Sequence, residues 1–439
     1  MKTKNKVLAL AEIAIVLCSM FLVALPGIAA AATEIYEAGP LDVFGNANED
    51  DIIDMRDTTY IKLAIFGKKP KTKLADANYD GKVSMLDVGQ TKLIILGKEK
   101  ELTYVDIYGE AETVNKPIKR MVNTGWIGPR VIRNLGARDT LVALGSDSIS
   151  KEPTFYPVMS KLPIVGTMNG GDLDYEAILG LKPDVVMTNM EATWNIKPEL
   201  KSELKEKLKS IPIICLNMRQ TETLSENVRT LGYIIDRKDE AEELAEWVEG
   251  YLFNIFISRT EGLLEDEKPQ FYFERDINPY QAIASGSSYS QAVIWGGGRN
   301  ILDEIIGPDD PGYVSYNYVD PEWVMEQNPE IIFIQSRGLG YKSDDPSKYA
   351  AIRKKLMDRP ELAKVDAVKN GRVYCSEVTL MAGPSNIIST AYMAKLLHPG
   401  LFEDLDPEAM HQEYIDKFCY VDFDVYEHGV FFYPPPEEW

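Results

Sequence analysis

Two segments of the chain place oxygen-bearing side chains at matching positions of a twelve-residue window. The segments run from residue 46 to 57 and from 76 to 87, an offset of 30 residues. Positions 1, 3, 5, 9 and 12 are Asn46, Asn48, Asp50, Asp54 and Asp57 in the first segment, and Asp76, Asn78, Asp80, Ser84 and Asp87 in the second. Oxygen ligands that converge from a loop of this length, with a backbone carbonyl at position 7, suit a hard cation. The spacing predicts two structural Ca²⁺ sites.

A similar helix is predicted after each loop, so the repeat is longer than the loops themselves. Residues 62–68 and 92–98 share the pattern Lys-Leu-x-Ile-x-Gly-Lys, and the glycine in each is a suitable helix C-cap. Gly81 occupies position 6, where the loop must turn with a positive φ, whereas the first loop has Asp51 there, which tolerates that backbone less well. An acidic surface loop that arose by chance would not be repeated in register with its following helix.

This stretch resembles a dockerin module, the paired-loop Ca²⁺ domain that docks cohesins. The resemblance implies that Ca²⁺ folds the module and that its two helices present a face to a cohesin-like partner. The first loop departs from the dockerin pattern at two positions: it has Asn46 and Asp51 where dockerins have Asp and Gly. In dockerins, positions 10 and 11 of each loop contact the cohesin. Here these positions are Met55-Arg56 and Met85-Leu86, which leave the partner's identity open. A purely structural Ca²⁺ module is the alternative.

From residue 101 onward, short apolar runs alternate with amphipathic helical patterns, which is typical of α/β folds with mainly parallel sheets. After a hairpin near residues 103–114, the predicted strands are residues 119–122, 141–144, 163–165, 184–187, 211–216, 271–274, 331–334 and 372–375. Residues 221–261 are predicted to be helical with a break near Asp236. The predicted fold is α/β, with two Rossmann-like lobes bridged by a long helix and preceded by a small all-α domain with paired Ca²⁺ loops.

The corresponding organisation has six parts. They are a signal peptide (1–32), the dockerin-like domain (40–100), lobe 1 (101–220), linking helices (221–267), lobe 2 (268–400) and a tail that packs on lobe 2 (401–439).

The two lobes repeat one local pattern. Glu176 precedes Pro183 by seven residues, and Glu322 precedes Pro329 by the same spacing; each proline opens an apolar run. Each segment is a short helix that ends at the residue before proline and leads into a buried strand. A glutamate at a helix start also has an ordinary explanation, since its carboxylate interacts favourably with the helix dipole.

Residues 101–400 resemble the class III periplasmic substrate-binding proteins, which serve ABC importers of ferric siderophores, haem and cobalamin. The resemblance rests on the lead-in at residues 103–120, the two proline segments and the linking helix. It implies a ligand cleft between the lobes, no enzymatic activity, and an ABC permease with its ATPase as partner. Glu176 and Glu322 match the glutamates that meet arginines on the permease.

Ligands of open α/β sheets bind beyond the carboxyl ends of the strands, so the loops at those ends supply the cleft candidates. Aromatic faces suit a planar macrocycle or a catecholate, and arginine pairs with carboxylates or phosphates. The candidates are Trp126, Arg130, Tyr156, Asn189, Trp194, Arg275, Tyr289, Trp295, Tyr316, Arg337 and Met381. An aromatic residue at any one of these positions is also compatible with ordinary core packing.

Composition excludes several classes of function. The 439 residues carry a net charge of −21, which would repel a nucleic acid backbone. The histidines are His398, His411 and His428, all near one end, whereas a bare Zn²⁺ or Mn²⁺ site would require several across both lobes. No catalytic motif is recognisable. A chelated metal is therefore favoured over a bare one.

The first 32 residues have the features of an export signal. Lys2, Lys4 and Lys6 precede residues 7–23, which are apolar apart from Glu12, and alanines at 29–32 offer cleavage sites. The protein is therefore expected in the periplasm or at the cell surface, and an uncleaved signal that anchors it to the membrane is the alternative. Cys18 would leave with a cleaved signal, so Cys215, Cys375 and Cys419 would remain, of which Cys215 is predicted to be a buried strand thiol.

Two hypotheses of function follow. In the first, the protein captures a metal chelate (ferric siderophore, corrinoid or haem) for an ABC importer and carries a Ca²⁺-dependent docking module. The aromatic candidates fit a corrinoid slightly better than the other two ligands. In the second, it is a cell-surface scaffold that acts through the dockerin-like domain. An exported enzyme built on the same body, such as a chelatase, is a more distant third.

Overall fold

Two β-sheets form the body of the protein, and helices cover them. The computed structural model describes residues 40–167, 171–189, 198–307 and 314–436, without the side chains of residues 189, 198 and 199. Within that part of the chain the fold is α/β with two lobes, as the sequence predicted. The signal peptide predicted for residues 1–32 lies outside the described residues.

The sheet of lobe 1 is fully parallel. Its strands are β3 (Met121–Asn123), β4 (Leu141–Leu144), β5 (Val185–Asn189) and β6 (Ile213–Leu216), in the order β4–β3–β5–β6. A two-stranded antiparallel hairpin, β1 (Glu101–Val105) with β2 (Ala111–Asn115), precedes it. Residues 163–165 were predicted to be a strand, and this was wrong. They contribute only an isolated bridge between Ile164 and Leu144.

The sheet of lobe 2 is mixed. Four of its strands pair with one another in parallel. They are β7 (Gln270–Arg275), β9 (Arg299–Asn300), β11 (Ile331–Ser336) and β12 (Val373–Glu377). Three further strands pair in antiparallel fashion: β8 (Asn278–Ile283), β10 (Tyr316–Tyr318) and β13 (Phe432–Tyr433). These three were not predicted, because polar residues interrupt the apolar alternation in β8 and β10 and because β13 has only two residues.

The described helices match the predicted alternation. They are α1 (Met55–Ile65), α2 (Met85–Ile95), α3 (Gly128–Asn134), α4 (Tyr175–Gly180), α5 (Pro198–Leu208), α6 (Leu224–Ile234), α7 (Lys238–Tyr251), α8 (Ser258–Thr260), α9 (Ser288–Trp295), α10 (Pro321–Gln327), α11 (Ser347–Met357), α12 (Asp366–Lys369), α13 (Asn386–Leu397) and α14 (Pro407–Tyr414). The predicted break near Asp236 is confirmed, since that residue separates α6 from α7 with a φ of 58°. A π-helical segment, Leu252–Ile257, continues α7 into α8. None of the helices in the described part of the chain is both long and apolar enough to cross a membrane.

Three consecutive glycines, at residues 296–298, form a turn directly after α9. The turn joins α9 to the short strand β9. Its glycines are required by close packing: a Cβ on Gly298 would lie 2.9 Å from the Phe271 ring, and Gly297 has a φ of +89°.

The loop-and-helix repeat shares a core with the α/β body. Leu41, Val43, Ile53 and Ile94 belong to the same cluster of buried side chains as the hairpin, the linking helices and much of both lobes. Backbone hydrogen bonds reinforce this contact, since the Phe44 amide donates to the Thr103 carbonyl at 2.9 Å. Burial of these apolar side chains fixes the repeat against the body.

The C-terminal residues contact both lobes. Strand β13 extends the sheet of lobe 2 beside β12, while Asn134 of α3 donates to the Phe418 carbonyl at 2.9 Å and accepts from the Tyr414 hydroxyl at 2.9 Å. A buried aromatic cluster lies between these contacts. The Tyr341 ring stacks on Phe155 with centroids 3.5 Å apart, and its hydroxyl lies 2.8 Å from Nε2 of His411. The tail thereby links the two lobes.

The buried His411 predicts a pH dependence of stability. Burial lowers the pKa of His411 to about 3, whereas an unfolded histidine titrates near 6.5. Below pH 6.5 the unfolded state therefore takes up a proton that the folded state does not, and stability falls as the pH drops toward 3. Between pH 7 and pH 5 this loss amounts to about 2 kcal/mol. Urea unfolding at the two pH values should show that His411→Phe removes this increment, and equal pH dependence in both proteins would contradict the assignment.

Candidate functional site

A cleft of about 630 Å³ lies where the carboxyl ends of the parallel strands of both lobes face each other. From lobe 1 it is lined by the residues after β3 and β4, by the end of β5 and by Arg219 after β6. From lobe 2 it is lined by the start of α9 and by the residues after β11 and β12. The crevice outside the carboxyl ends of the strands is the usual position for a ligand in α/β folds.

Four of the predicted cleft residues line this cavity together: Trp126, Arg130, Tyr289 and Arg337. The Arg130 guanidinium lies 5.2 Å from the Trp126 ring centroid and is buried. Its Nη1 donates to the Thr379 carbonyl of lobe 2 at 3.0 Å, and its Nε has no hydrogen-bond partner in the described part of the chain. The contact with Thr379 joins the two lobes at the cleft.

Arg219, which was not among the predicted cleft residues, also lines the cleft. Its guanidinium lies 4.5 Å from the Tyr289 ring centroid and 5.7 Å from that of Trp126. Its Nε donates to the Ser288 hydroxyl at 2.9 Å. Arg219 follows β6 by three residues, so the strand-end rule that selected Trp126 would have selected it as well.

The cleft carries more positive than negative side chains, although the whole protein is strongly acidic. The cationic residues that line it are Arg130, Lys151, Arg219, Arg337 and Lys342, and the acidic ones are Asp147, Glu152 and Glu377. Lys151 pairs with Asp147 at 2.5 Å and Lys342 with Glu152 at 3.3 Å, so the arginines supply the excess. Burial raises the pKa of Glu377, whose carboxylate accepts a hydrogen bond from the Tyr349 hydroxyl. The surplus charge favours an anionic ligand.

The other predicted cleft residues lie elsewhere. Tyr156 is buried against Arg133, whose guanidinium lies 4.4 Å from the Tyr156 ring centroid, because the loop after β4 folds back on α3. Arg275 stacks on Tyr316 at 4.4 Å and donates to Gln281 at 2.8 Å, so the two residues engage each other beside β10 rather than in the cleft.

Two further candidates also lie outside the cleft. Trp295 ends α9, at the opposite end from Tyr289, and its carbonyl lies 3.4 Å from the Thr260 hydroxyl. Met381 is fully buried in the shared core after β12. Asn189 ends β5, but its side chain lies outside the described residues, as does all of Trp194.

The two glutamates assigned to permease docking lie in equivalent local structures. Glu176 is the second residue of α4 and Glu322 the second of α10; both are exposed. Each helix has an aspartate N-cap, Asp174 or Asp320, two residues earlier. The residues before the two prolines, Lys182 and Asn328, both adopt the left-handed backbone, with φ of 47° and 48°. The repeat seen in the sequence is thus a structural repeat, one copy in each lobe.

The two twelve-residue loops hold buried acidic side chains in the same manner. Asp57 and Asp87 are fully buried, and each accepts backbone amides from positions 3 and 9 of its own loop. Neither forms an ion pair with a lysine or arginine in the described part of the chain; Arg56 pairs with Asp50 and Asp54 instead.

Burial raises the pKa of Asp57 to about 6, and the Oδ1 atom of Asn46 is buried without a hydrogen-bond partner. A buried carboxylate without a counter-charge is costly, and a hard divalent cation with oxygen ligands would offset that cost. The donor atoms therefore fit Ca²⁺.

A third acidic cluster does not fit a metal. Asp106, Glu110 and Glu112 bring carboxylate oxygens close together, but Lys201 lies among them. Its Nζ bonds to Asp106, to Glu110 at 2.6 Å and to Glu112 at 2.8 Å. Although burial opposes the charge, these carboxylates raise the pKa of Lys201. The chain itself supplies the cation here.

A second cavity of about 580 Å³ lies beside β6 and α6 and differs in character from the cleft. It is lined by Asp42, Asp106 and Glu226 together with amides and hydroxyls, and by no lysine or arginine among the described residues. Burial raises the pKa of Glu226 to about 7, and nearby Asp42 adds to this shift. The cavity therefore lacks the convergent cations that distinguish the cleft.

Comparison with known proteins identifies the family. The sequence profile described as periplasmic binding protein matches residues 129–376, which is more than half of the chain. The chain is 21% identical over 293 residues to the molybdate-binding protein MolA of Haemophilus influenzae, covering 60% of this chain and 74% of that one. The protein belongs to the periplasmic binding protein family.

Solved structures agree with this fold. The TroA-like periplasmic binding protein FepB of Veillonella parvula superposes with a TM-score of 0.61 at 21% identity, covering 75% of this chain and 98% of that chain. CeuE of Helicobacter pylori, crystallised with Ni(II), superposes with a TM-score of 0.57 at 18% identity, covering 73% of this chain and 97% of that chain. As a family member, the protein is an exported solute-binding component of an ABC importer and not an enzyme, as the sequence predicted.

Proposed function

We propose that this protein captures an anionic metal chelate, with a ferric siderophore as the favoured ligand, and delivers it to an ABC permease. The observation that carries the proposal is the group of arginines Arg130, Arg219 and Arg337 around a cleft that is also lined by Trp126 and Tyr289. Guanidinium groups pair with catecholate or carboxylate oxygens, and aromatic faces pack against the chelating rings. The cleft volume of about 630 Å³ is of the size used for small-molecule ligands.

The same features rank the other ligands lower. The sequence-based preference for a corrinoid rested on aromatic residues, whereas the cleft's surplus of positive charge favours an anion. Haem would require an axial His or Tyr, and among the described residues that line the cleft Tyr289 alone qualifies; its ring is stacked with Arg219. MolA is named for molybdate, but the cleft volume is far larger than a tetrahedral oxyanion needs.

A ligand titration tests this assignment. Tryptophan quenching of the signal-free protein should be saturable with a ferric tris-catecholate siderophore, because Trp126 lines the cleft. Arg219→Gln should weaken binding about 10- to 100-fold, since a hydrogen bond to a charged group is lost. The matched variant Arg275→Gln, whose guanidinium lies outside the cleft, should stay within about twofold. Tighter binding of cobalamin, haem or molybdate would replace the siderophore assignment.

The permease is proposed to dock on α4 and α10. Each carries an exposed glutamate at an equivalent position, Glu176 or Glu322, without an ion pair in the described part of the chain. Exposed carboxylates on two lobes can meet arginines on two permease subunits, and such contacts specify orientation.

Charge reversal tests the docking role separately from ligand capture. Glu176→Arg and Glu322→Arg should each lower ligand-dependent ATPase stimulation of the reconstituted importer about tenfold or more, with ligand affinity unchanged. Glu403→Arg, at an exposed position outside α4 and α10, makes the same change in net charge and should be nearly neutral. Equal loss from all three variants would indicate a general charge effect instead.

We further propose that the N-terminal repeat is a Ca²⁺-dependent docking module with a cohesin-like partner. The helices expose large apolar side chains at equivalent positions: Met55 and Met85 are 55% and 59% exposed, and Phe66 and Leu96 are 74% and 64% exposed. Exposed apolar groups of this kind mark interaction sites. They favour a docking role over a purely structural one, and they support the second candidate function, a cell-surface scaffold.

Calorimetric titration of the metal-free protein should detect two Ca²⁺ ions. Asp50→Ala and Asp80→Ala should each remove one, because each deletes an oxygen ligand from one loop. Absence of Ca²⁺ binding at millimolar concentration would exclude the docking module as proposed. If Ca²⁺ binds and no metal chelate does, the scaffold function gains support.

A further inference from the structure

We infer that Tyr233, a residue of the α/β body, is a positioning residue for the first Ca²⁺ loop, so that the affinity of this loop depends on the body and that of the second loop does not. The inference rests on the proposed Ca²⁺ binding and extends it. It concerns residues that lie 180 positions apart in the chain.

The contact is a buried hydrogen bond to the ligand-bearing backbone. The Ile53 amide donates to the Tyr233 hydroxyl at 2.9 Å. Ile53 occupies position 8 of the loop, and its amide shares one peptide group with the carbonyl of Ile52 at position 7, the backbone ligand position. A hydrogen bond at the N–H end of a peptide group polarises its carbonyl oxygen and fixes its orientation. Both effects strengthen that oxygen as a cation ligand.

The second loop has no such support. Its position 8 is Val83, which is half-buried, and no hydrogen bond to its amide is present in the described part of the chain. The first loop is the one with the poorer loop sequence, since it has Asn46 at position 1 and Asp51 at position 6 where the second has Asp76 and Gly81. The hydrogen bond from the body thus supports the first loop, whose sequence is the less favourable of the two for Ca²⁺ binding.

Tyr233 is itself held in place. Its ring is buried on α6, and its carbonyl accepts from Lys116 Nζ at 2.6 Å. The same ammonium pairs with Glu99, which follows α2, and with Asp236 at 2.7 Å between α6 and α7. Lys238 of α7 donates to the Ile95 carbonyl, the last residue of α2, at 3.1 Å. Three polar contacts therefore join the repeat to the region around the junction of the linking helices: Tyr233 with Ile53, Lys116 with Glu99, and Lys238 with Ile95.

Apolar packing makes this position rigid. Ile53 and Ile94 belong to the same buried cluster as Tyr233. Rotating the repeat away from the body would expose these side chains to water, which costs free energy in proportion to their apolar area. The hydrogen bond to Ile53 is therefore a fixed part of the loop's environment.

The test separates the two loops within the full chain. Asp80→Ala leaves the first loop as the remaining site, and Asp50→Ala leaves the second. Adding Tyr233→Phe should weaken Ca²⁺ about fivefold in the Asp80→Ala protein, the effect of losing one buried hydrogen bond, and should change it less than twofold in the Asp50→Ala protein. Calorimetric titration with CaCl₂ measures both affinities.

A structural control uses Tyr251→Phe. Tyr251 lies on α7 and its hydroxyl donates to Glu413 at 2.6 Å, so this variant loses a tyrosine hydrogen bond that does not involve the repeat. It should leave both Ca²⁺ affinities unchanged. Equal weakening of both loops by Tyr233→Phe, or no weakening of the first, would overturn the inference. Failure of the unsubstituted protein to bind Ca²⁺ would instead refute the proposed Ca²⁺ module.

Discussion

Buried guanidinium groups hold the two lobes together at the cleft, and the ligand site depends on them. Arg130 bonds to a carbonyl of lobe 2, and Arg219 bonds to Ser288 at the start of α9. Removing these charges from water is expensive, and contacts with Trp126 and Tyr289 recover only part of that cost. An anionic ligand in the cleft would offset the rest of this desolvation cost. The same groups thus fix the cleft geometry and bias it toward anions, against the field of a protein with net charge −21.

The position of the loop-and-helix repeat follows from a second constraint, its shared core with the body. A docking module on a flexible linker could sample many orientations, whereas here Ile53 and Ile94 pack into the body's own core. The exposed apolar residues of α1 and α2 therefore face a direction fixed relative to the two lobes. A partner bound there would hold the cleft and the helices α4 and α10 in a defined orientation, which connects the scaffold and importer hypotheses.

Much of the fold was predictable because burial leaves a regular trace in the sequence. The strands of lobe 1 and the central strands of lobe 2 are continuous apolar runs, and the repeat was visible from oxygen side chains at fixed spacing. The strands β8 and β10 were missed because polar residues interrupt their apolar alternation; β10 forms the edge of the sheet, where such residues are tolerated. Strand-end position selected Trp126, Arg130, Tyr289 and Arg337, which line one cavity, but it also selected Tyr156 and Met381, which are core residues.

The sequence by itself determined the fold class, the paired loops and the two equivalent glutamates, because each depends on local spacing or on a repeated local pattern. Only the tertiary structure decided which arginines converge on the cleft. Arg219 acquires its role from Tyr289, which lies on the other lobe, and no spacing along the chain reports that contact. The link between Tyr233 and Ile53 likewise exists only after folding, since it joins a helix of the body to a loop 180 residues earlier. Contacts across lobes are set by how whole elements pack, and single-sequence patterns record burial but not the partner against which a residue is buried.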